Sequence, residues 1–115
     1  MAYKTPVIFI IFNRPDTTRK VLETIKEIKP NKLYVISDGP RNEKEQALVN
    51  ETRALIEEID WDCNIRKIYS DYNMGCGRRV SSGISEVFKY EEYSVINFQV
   101  VLIKEKWTYW LKEAI

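Results

Sequence analysis

The chain has 115 residues, 44% of them hydrophobic and 30% charged, enough for one compact domain with a core and too few for two. Its 18 basic and 17 acidic residues leave a formal net charge of +1, which supplies neither the basic field of a nucleic-acid binder nor an acidic tail. There is no histidine and no CxxC pair, which excludes the usual zinc, copper and iron ligand sets and any Ser-His-Asp or Cys-His nucleophile.

The two cysteines, Cys63 and Cys76, read as free thiols of a protein in a reducing, cytoplasmic setting. Residues 7 to 12 have the apolarity of a secretion signal, but they run into Asn13-Arg14-Pro15-Asp16 with no small-residue cleavage site. A buried strand fits them better. No run approaches the about 20 apolar residues of a membrane-spanning helix, so no membrane span is expected.

Residues 6 to 12 are continuously apolar and rich in isoleucine, valine and phenylalanine, the pattern of a central parallel strand covered on both faces. From Asp16 onward, Val21, Leu22, Ile25 and Ile28 recur at helical spacing, and Pro30-Asn31 ends the run. Residues 33 to 37 form a second short apolar strand, followed by the turn Asp38-Gly39-Pro40. Asn42 with Glu45 makes a helix-capping pair, and Ala47, Leu48, Leu55, Ile56 and Ile59 form the apolar face of a second helix whose charged residues face water.

Residues 64 to 70 alternate Ile65, Lys67 and Tyr69 against Arg66 and Ile68 as a third strand. A glycine-bearing loop, Asn73-Met74-Gly75-Cys76-Gly77, leads to a third helix from about Arg78, with Val80, Ile84, Val87 and Phe88 on one side. Residues 93 to 103 read as an apolar fourth strand. Strands and helices alternating in this way imply an α/β fold, a three-layer sandwich around a mostly parallel sheet of about four strands.

In such sheets ligands bind beyond the carboxyl ends of the strands, which singles out residues 13 to 16, 37 to 41 and 70 to 79. Asp38 there can accept a hydrogen bond from a base N–H or a ribose hydroxyl. Arg14, Arg78 and Arg79 can pair with diphosphate oxygens through their fork of donors. Gly75 and Gly77 permit close backbone approach, before a helix N-terminus that favours anions. Each also has a plain structural reading: a turn at Asp38-Gly39-Pro40, a helix cap at Asn13 or Asp16, and ordinary surface arginines. Gly75-x-Gly77 follows the third strand rather than the first, and Gly83 falls at the wrong offset, so it is not the dinucleotide-binding fingerprint.

Taken in order, Thr5-Pro6-Val7 with Phe12-Asn13-Arg14-Pro15-Asp16, then Ile36-Ser37-Asp38-Gly39, then Asn73-Met74-Gly75 leading through Arg78-Arg79 to Gly83-Ile84, resembles the nucleotide-binding half of GT-A fold glycosyltransferases. The likeness is to family 2 enzymes and covers residues 5 to 96 of a single domain spanning residues 1 to 115. The resemblance implies a Rossmann-like half-fold and a pocket for a nucleotide or nucleotide-sugar, with Asn13, Arg14 and Asp38 at the base and ribose, and with Arg78 or Arg79 at the base or diphosphate.

The family's fourth strand ends in a carboxylate cluster that holds Mn²⁺ or Mg²⁺ against the charge of the departing diphosphate. Asn97, Phe98 and Gln99 stand there instead, poor ligands for a hard cation. The resemblance therefore implies a hexosyltransferase-like domain that binds nucleotide but does not transfer sugar alone, with no catalytic or metal-ligating residue assigned and no acceptor half present. Residues 97 to 115 read as a divergent strand and a terminal amphipathic helix bearing Trp107, Trp110, Leu111 and Ala114. That helix either covers the sheet or carries the alternative expectation, a non-catalytic interaction protein that binds itself, as a homodimer, or a partner through its tryptophans.

Overall fold

The computed structural model describes residues 4 to 96 in full and the backbone of residues 100 to 103. Its elements follow in the order β1 (Val7–Ile11), α1 (Pro15–Ile28), β2 (Lys32–Ser37), α2 (Glu43–Ala54), β3 (Asn64–Tyr69), α3 (Cys76–Val87), β4 (Tyr93–Ile96) and β5 (Val100–Ile103). One sheet orders these strands β3-β2-β1-β4-β5. Pairings β1 to β2, β1 to β4 and β2 to β3 are parallel, and β5 adds to β4 antiparallel. The α/β, mostly parallel architecture expected from the sequence is the one observed.

Every side chain of β1 is buried except the partly covered Ile10, as befits a strand sandwiched between helices. Its alternation divides the core in two. Val7, Phe9 and Ile11 join Leu33, Val35, Ile25 and Ile56 on the α1 and α2 side. Ile8 joins Tyr34, Ile36, Ile68, Ile84, Val87 and Phe88 beneath α3. Three strands step outward from β1 to β3 over one face, and the α3 crossover returns the chain to the other side of β1 over the opposite face. The order therefore reverses between β1 and β4, where open α/β sheets place ligands at the strands' carboxyl ends.

Four expectations need correction. Residues 93 to 103 are not one strand: Ile96 pairs with Val100 and Tyr93 with Ile103, so the chain reverses between β4 and β5. The run lacks glycine and proline, and Asn97 is its one strong turn former, a weak signal within an otherwise apolar stretch. On α2, Ala47 and Leu48 are exposed, whereas Val49 and Thr52 are buried together with the charged Glu45. Helix α3 begins at Cys76, so Gly77 lies in its first turn. Neither Asn13 nor Asp16 caps α1: Arg14 is the N-cap without a side-chain bond and Pro15 opens the helix, its fixed φ suited to that position.

Other local expectations hold. Asn42 Oδ1 accepts the Glu45 amide at 2.9 Å, and α1 ends with Lys29 in the left-handed region at φ 48, immediately before Pro30. The alternation in β3 follows from its place at the sheet edge. Away from the carboxyl ends, the Tyr34 hydroxyl donates to Glu91, which also accepts from Lys32 at 3.2 Å. Burial and the adjacent Glu91 carboxylate push the Tyr34 phenol well above its ordinary pKa.

Candidate functional site

The carboxyl end of β2 organises the loop that precedes α3. Asp38, 7% exposed, accepts the amides of Gly39 and Met74 through Oδ1, both at 2.8 Å, and that of Gly75 through Oδ2 at 3.0 Å. These bonds occupy three of the about four acceptor positions of a carboxylate. One remains on Oδ2. Asn73 Nδ2 donates to the Gly39 carbonyl at 2.8 Å, closing the same junction from the loop between β3 and α3. Gly75 takes φ 93, a conformation that glycine adopts without the Cβ clash of other residues.

Arg53, on α2, ties this junction from beneath. Its Nε donates to Ser37 Oγ at 2.9 Å, and its Nη2 to the carbonyls of Asp38 at 3.0 Å and Ser70 at 2.9 Å. The guanidinium also stands 4.5 Å from the Tyr69 ring centroid, within cation–π range. Its partial burial lowers its pKa below the ordinary arginine value. The sequence reading missed Arg53, because a charged residue on an amphipathic helix is ordinarily assigned to solvent.

Asn13 and Glu45 connect β1 to α2. Asn13 Nδ2 donates to Glu45 Oε2 at 3.2 Å, while Arg41 donates its amide at 2.9 Å and its Nε at 3.0 Å to Oε1. Arg41 also sits 6.0 Å from the Phe12 ring centroid. Its guanidinium and amide hold the Glu45 carboxyl down to about 2, and Glu45 in turn raises Arg41. The capping pair in the sequence pointed to Glu45 as a helix start, but gave no sign that its carboxylate spans two strand ends.

These groups frame a crevice of about 240 Å³ between the ends of β1 and β2 and the first turns of α3. Ile10, Phe12 and Ile36 give it apolar walls, and Asp38, Arg41 and Arg79 give it polar ones. Arg79 is 8% exposed. Its Nη2 donates to Ser82 Oγ at 3.3 Å, but its Nε is buried without a hydrogen-bond partner among the described residues. No carboxylate among them forms an ion pair with it. An open groove of about 580 Å³ adjoins the crevice and shares Arg41 and Asn73 with it. Exposed Tyr72 stands on the groove wall.

Of the residues singled out by sequence, the structure therefore brings Asp38, Gly75 and Arg79 into one crevice and connects Asn13 to its rim through Glu45. Arg14 is exposed and is not among the crevice walls; with Asn13, Thr17 and Thr18 it lines a neighbouring groove that shares Ile10, Ile11 and Phe12 with the crevice. Arg78 is exposed and is not among the crevice walls. The arginine pair thus resolves into one surface residue and one buried cation. Asn97, Phe98 and Gln99, where the resemblance would place metal ligands, lie outside the described residues, as do Trp107, Trp110 and the expected terminal helix. Among the described residues, no group of three or more histidine, cysteine, aspartate or glutamate side chains is placed to hold a metal ion, and no helix is long and apolar enough to cross a membrane. In comparisons with known proteins, no family model, no curated protein and no solved structure matches the chain.

Proposed function

We propose that this domain binds a nucleoside diphosphate or its sugar ester, in the manner of the GT-A nucleotide-binding half, at the carboxyl ends of β1 and β2. The observation that carries the reading is Arg79. A buried guanidinium lacking a carboxylate is costly unless an anion completes it, and its planar fork suits phosphate oxygens. The first-turn amides of α3 have no acceptors within the helix and carry the positive end of its dipole. Cys76, the first residue of α3, and Gly75 before it both line the same crevice, although the Gly75 amide is engaged by Asp38.

The remaining walls suit the rest of such a ligand. The free acceptor position on Asp38 Oδ2 serves a base N–H or a ribose hydroxyl, and Ile10, Phe12 and Ile36 offer apolar surface to a ring. The crevice alone falls below the roughly 300–1,000 Å³ of ordinary ligand pockets. Its junction with the groove beside Tyr72 extends the available space. The proposal concerns binding, and no residue is assigned to a transfer step.

Calorimetry with UDP, GDP, ADP and inorganic pyrophosphate, with and without Mn²⁺, tests the reading. A nucleoside diphosphate is expected to bind the native chain, and Arg79→Gln to weaken it by about ten- to one-hundredfold, the loss of a charge-assisted phosphate contact. Absence of binding by all four, or equal affinities in the two folded proteins, contradicts it.

A further inference from the structure

The two thiols occupy opposed surroundings. Cys63 is half-buried and packs against the core on the α1 and α2 side, where burial pushes its thiol above the ordinary value. Cys76 is exposed, opens α3, and forms part of the wall of the crevice that contains Arg79. Three positions apart on one helix, Cys76 and Arg79 share a face. The Arg79 Nε is buried without a hydrogen-bond acceptor among the described residues. Asp38, the carboxylate of the same crevice, is already engaged by three backbone amides. An anionic reagent that reaches Cys76 therefore meets the Arg79 cation, which has no carboxylate partner among the described residues, in the wall of the same concave site, a setting that favours its approach.

We propose that Cys76 is a thiolation site for small anionic disulfides of the glutathione disulfide class, whose attached half fills the crevice and pairs with Arg79. The Cys76 sulfur, its proton released to water, attacks one sulfur of the disulfide. A bond forms between them, the original S–S bond breaks, and the second half departs as a thiolate. The disulfide is itself the two-electron oxidant, and an excess of free thiol reverses the exchange. Modification closes the crevice to other anions and so makes its occupancy sensitive to redox conditions. The inference requires the crevice and Arg79, but not that a nucleotide binds there.

The test compares the rate of thiol modification by a dianionic disulfide, dithiobis-nitrobenzoate, with that by neutral dithiodipyridine. In the full chain, Cys63→Ala is expected to react as the native protein does, and Cys76→Ser about tenfold more slowly. Arg79→Gln is expected to lower the anionic-to-neutral rate ratio about fivefold, with Arg79→Lys restoring most of it and added salt lowering the native ratio. Peptide mapping of the native chain after glutathione disulfide treatment should place the adduct on the segment containing Cys76. An adduct on Cys63 instead, or a native rate ratio indifferent to salt and to Arg79→Gln, overturns the proposal. No nucleotide enters the experiment, so its failure is distinct from failure of the binding reading.

Discussion

Gly75 donates its backbone amide to the Asp38 carboxylate at 3.0 Å across 37 positions of sequence, so the end of β2 fixes where α3 begins. Asp38, read from the sequence as a ligand acceptor or as part of a local turn, is thus the organiser of a loop 37 positions away. Asp38→Asn keeps one oxygen acceptor but turns an NH₂ group toward a backbone donor. This substitution is expected to destabilise the fold by about 1–3 kcal/mol, the range for an unsatisfied buried polar group. Urea denaturation measures it. An unchanged midpoint would mean that the loop is held by other contacts.

Arg53 donates to Ser37 Oγ and to the carbonyls of Asp38 and Ser70, joining α2 to the ends of two strands. Arg53→Met preserves much of the side chain's length while removing every donor. The expected loss is about 3 kcal/mol, larger than for a surface arginine, because charge-assisted bonds and partly buried acceptors are lost together. Arg53→Lys should recover only part, since an ammonium is a point charge and cannot span the fork. Equal stability of the native chain and Arg53→Met in denaturant titration would remove the clamp from the account.

Glu45 makes the fold sensitive to acid. Its carboxyl, held down to about 2 chiefly by the Arg41 side chain, titrates at its ordinary value once the chain unfolds. Its stabilising contribution is therefore fully present above an ordinary glutamate pKa of about 4.3 and declines as the pH falls through about 2. Thermal unfolding of native protein and Glu45→Gln should show the largest difference in Tm above the upper limit, narrowing across that window. A difference that stays constant with pH would exclude Glu45 as its source.

Gly39 is fixed by a close approach. A Cβ at this position would lie 2.5 Å from the Tyr72 backbone carbon and oxygen and 2.7 Å from its nitrogen, atoms that cannot move without displacing the loop. Gly39→Ala is expected to cost about 1–3 kcal/mol through overpacking, and to disturb the groove beside Tyr72. Amide exchange of residues 71 to 75 should accelerate in the variant. Unchanged exchange and stability would show that the loop has room to yield.

The sequence made the repeating strand and helix units legible because β1, β2 and the inward faces of α1 and α3 carry apolar residues at the right periods. It also indicated Asp38, Gly75 and Arg79 as members of one strand-end constellation. What it concealed shares a physical cause. Glu45 and Arg53 are charged residues whose inward direction depends on partners 32 and 16 positions away, and helical periodicity alone sends such residues to solvent. The choice between Arg78 and Arg79 depended on the helix's rotation over the sheet. The reversal after β4 is announced by Asn97 alone, with no glycine or proline beside it.

The central claim is that Arg79 provides a buried, anion-ready cation at the carboxyl ends of β1 and β2. Its most direct test is the calorimetric affinity of a nucleoside diphosphate for native protein and for Arg79→Gln, with circular dichroism verifying that both are folded. Binding by the native chain that weakens about ten- to one-hundredfold in the variant is the predicted result. No binding by the native chain, or binding that the substitution leaves unchanged, would contradict the claim.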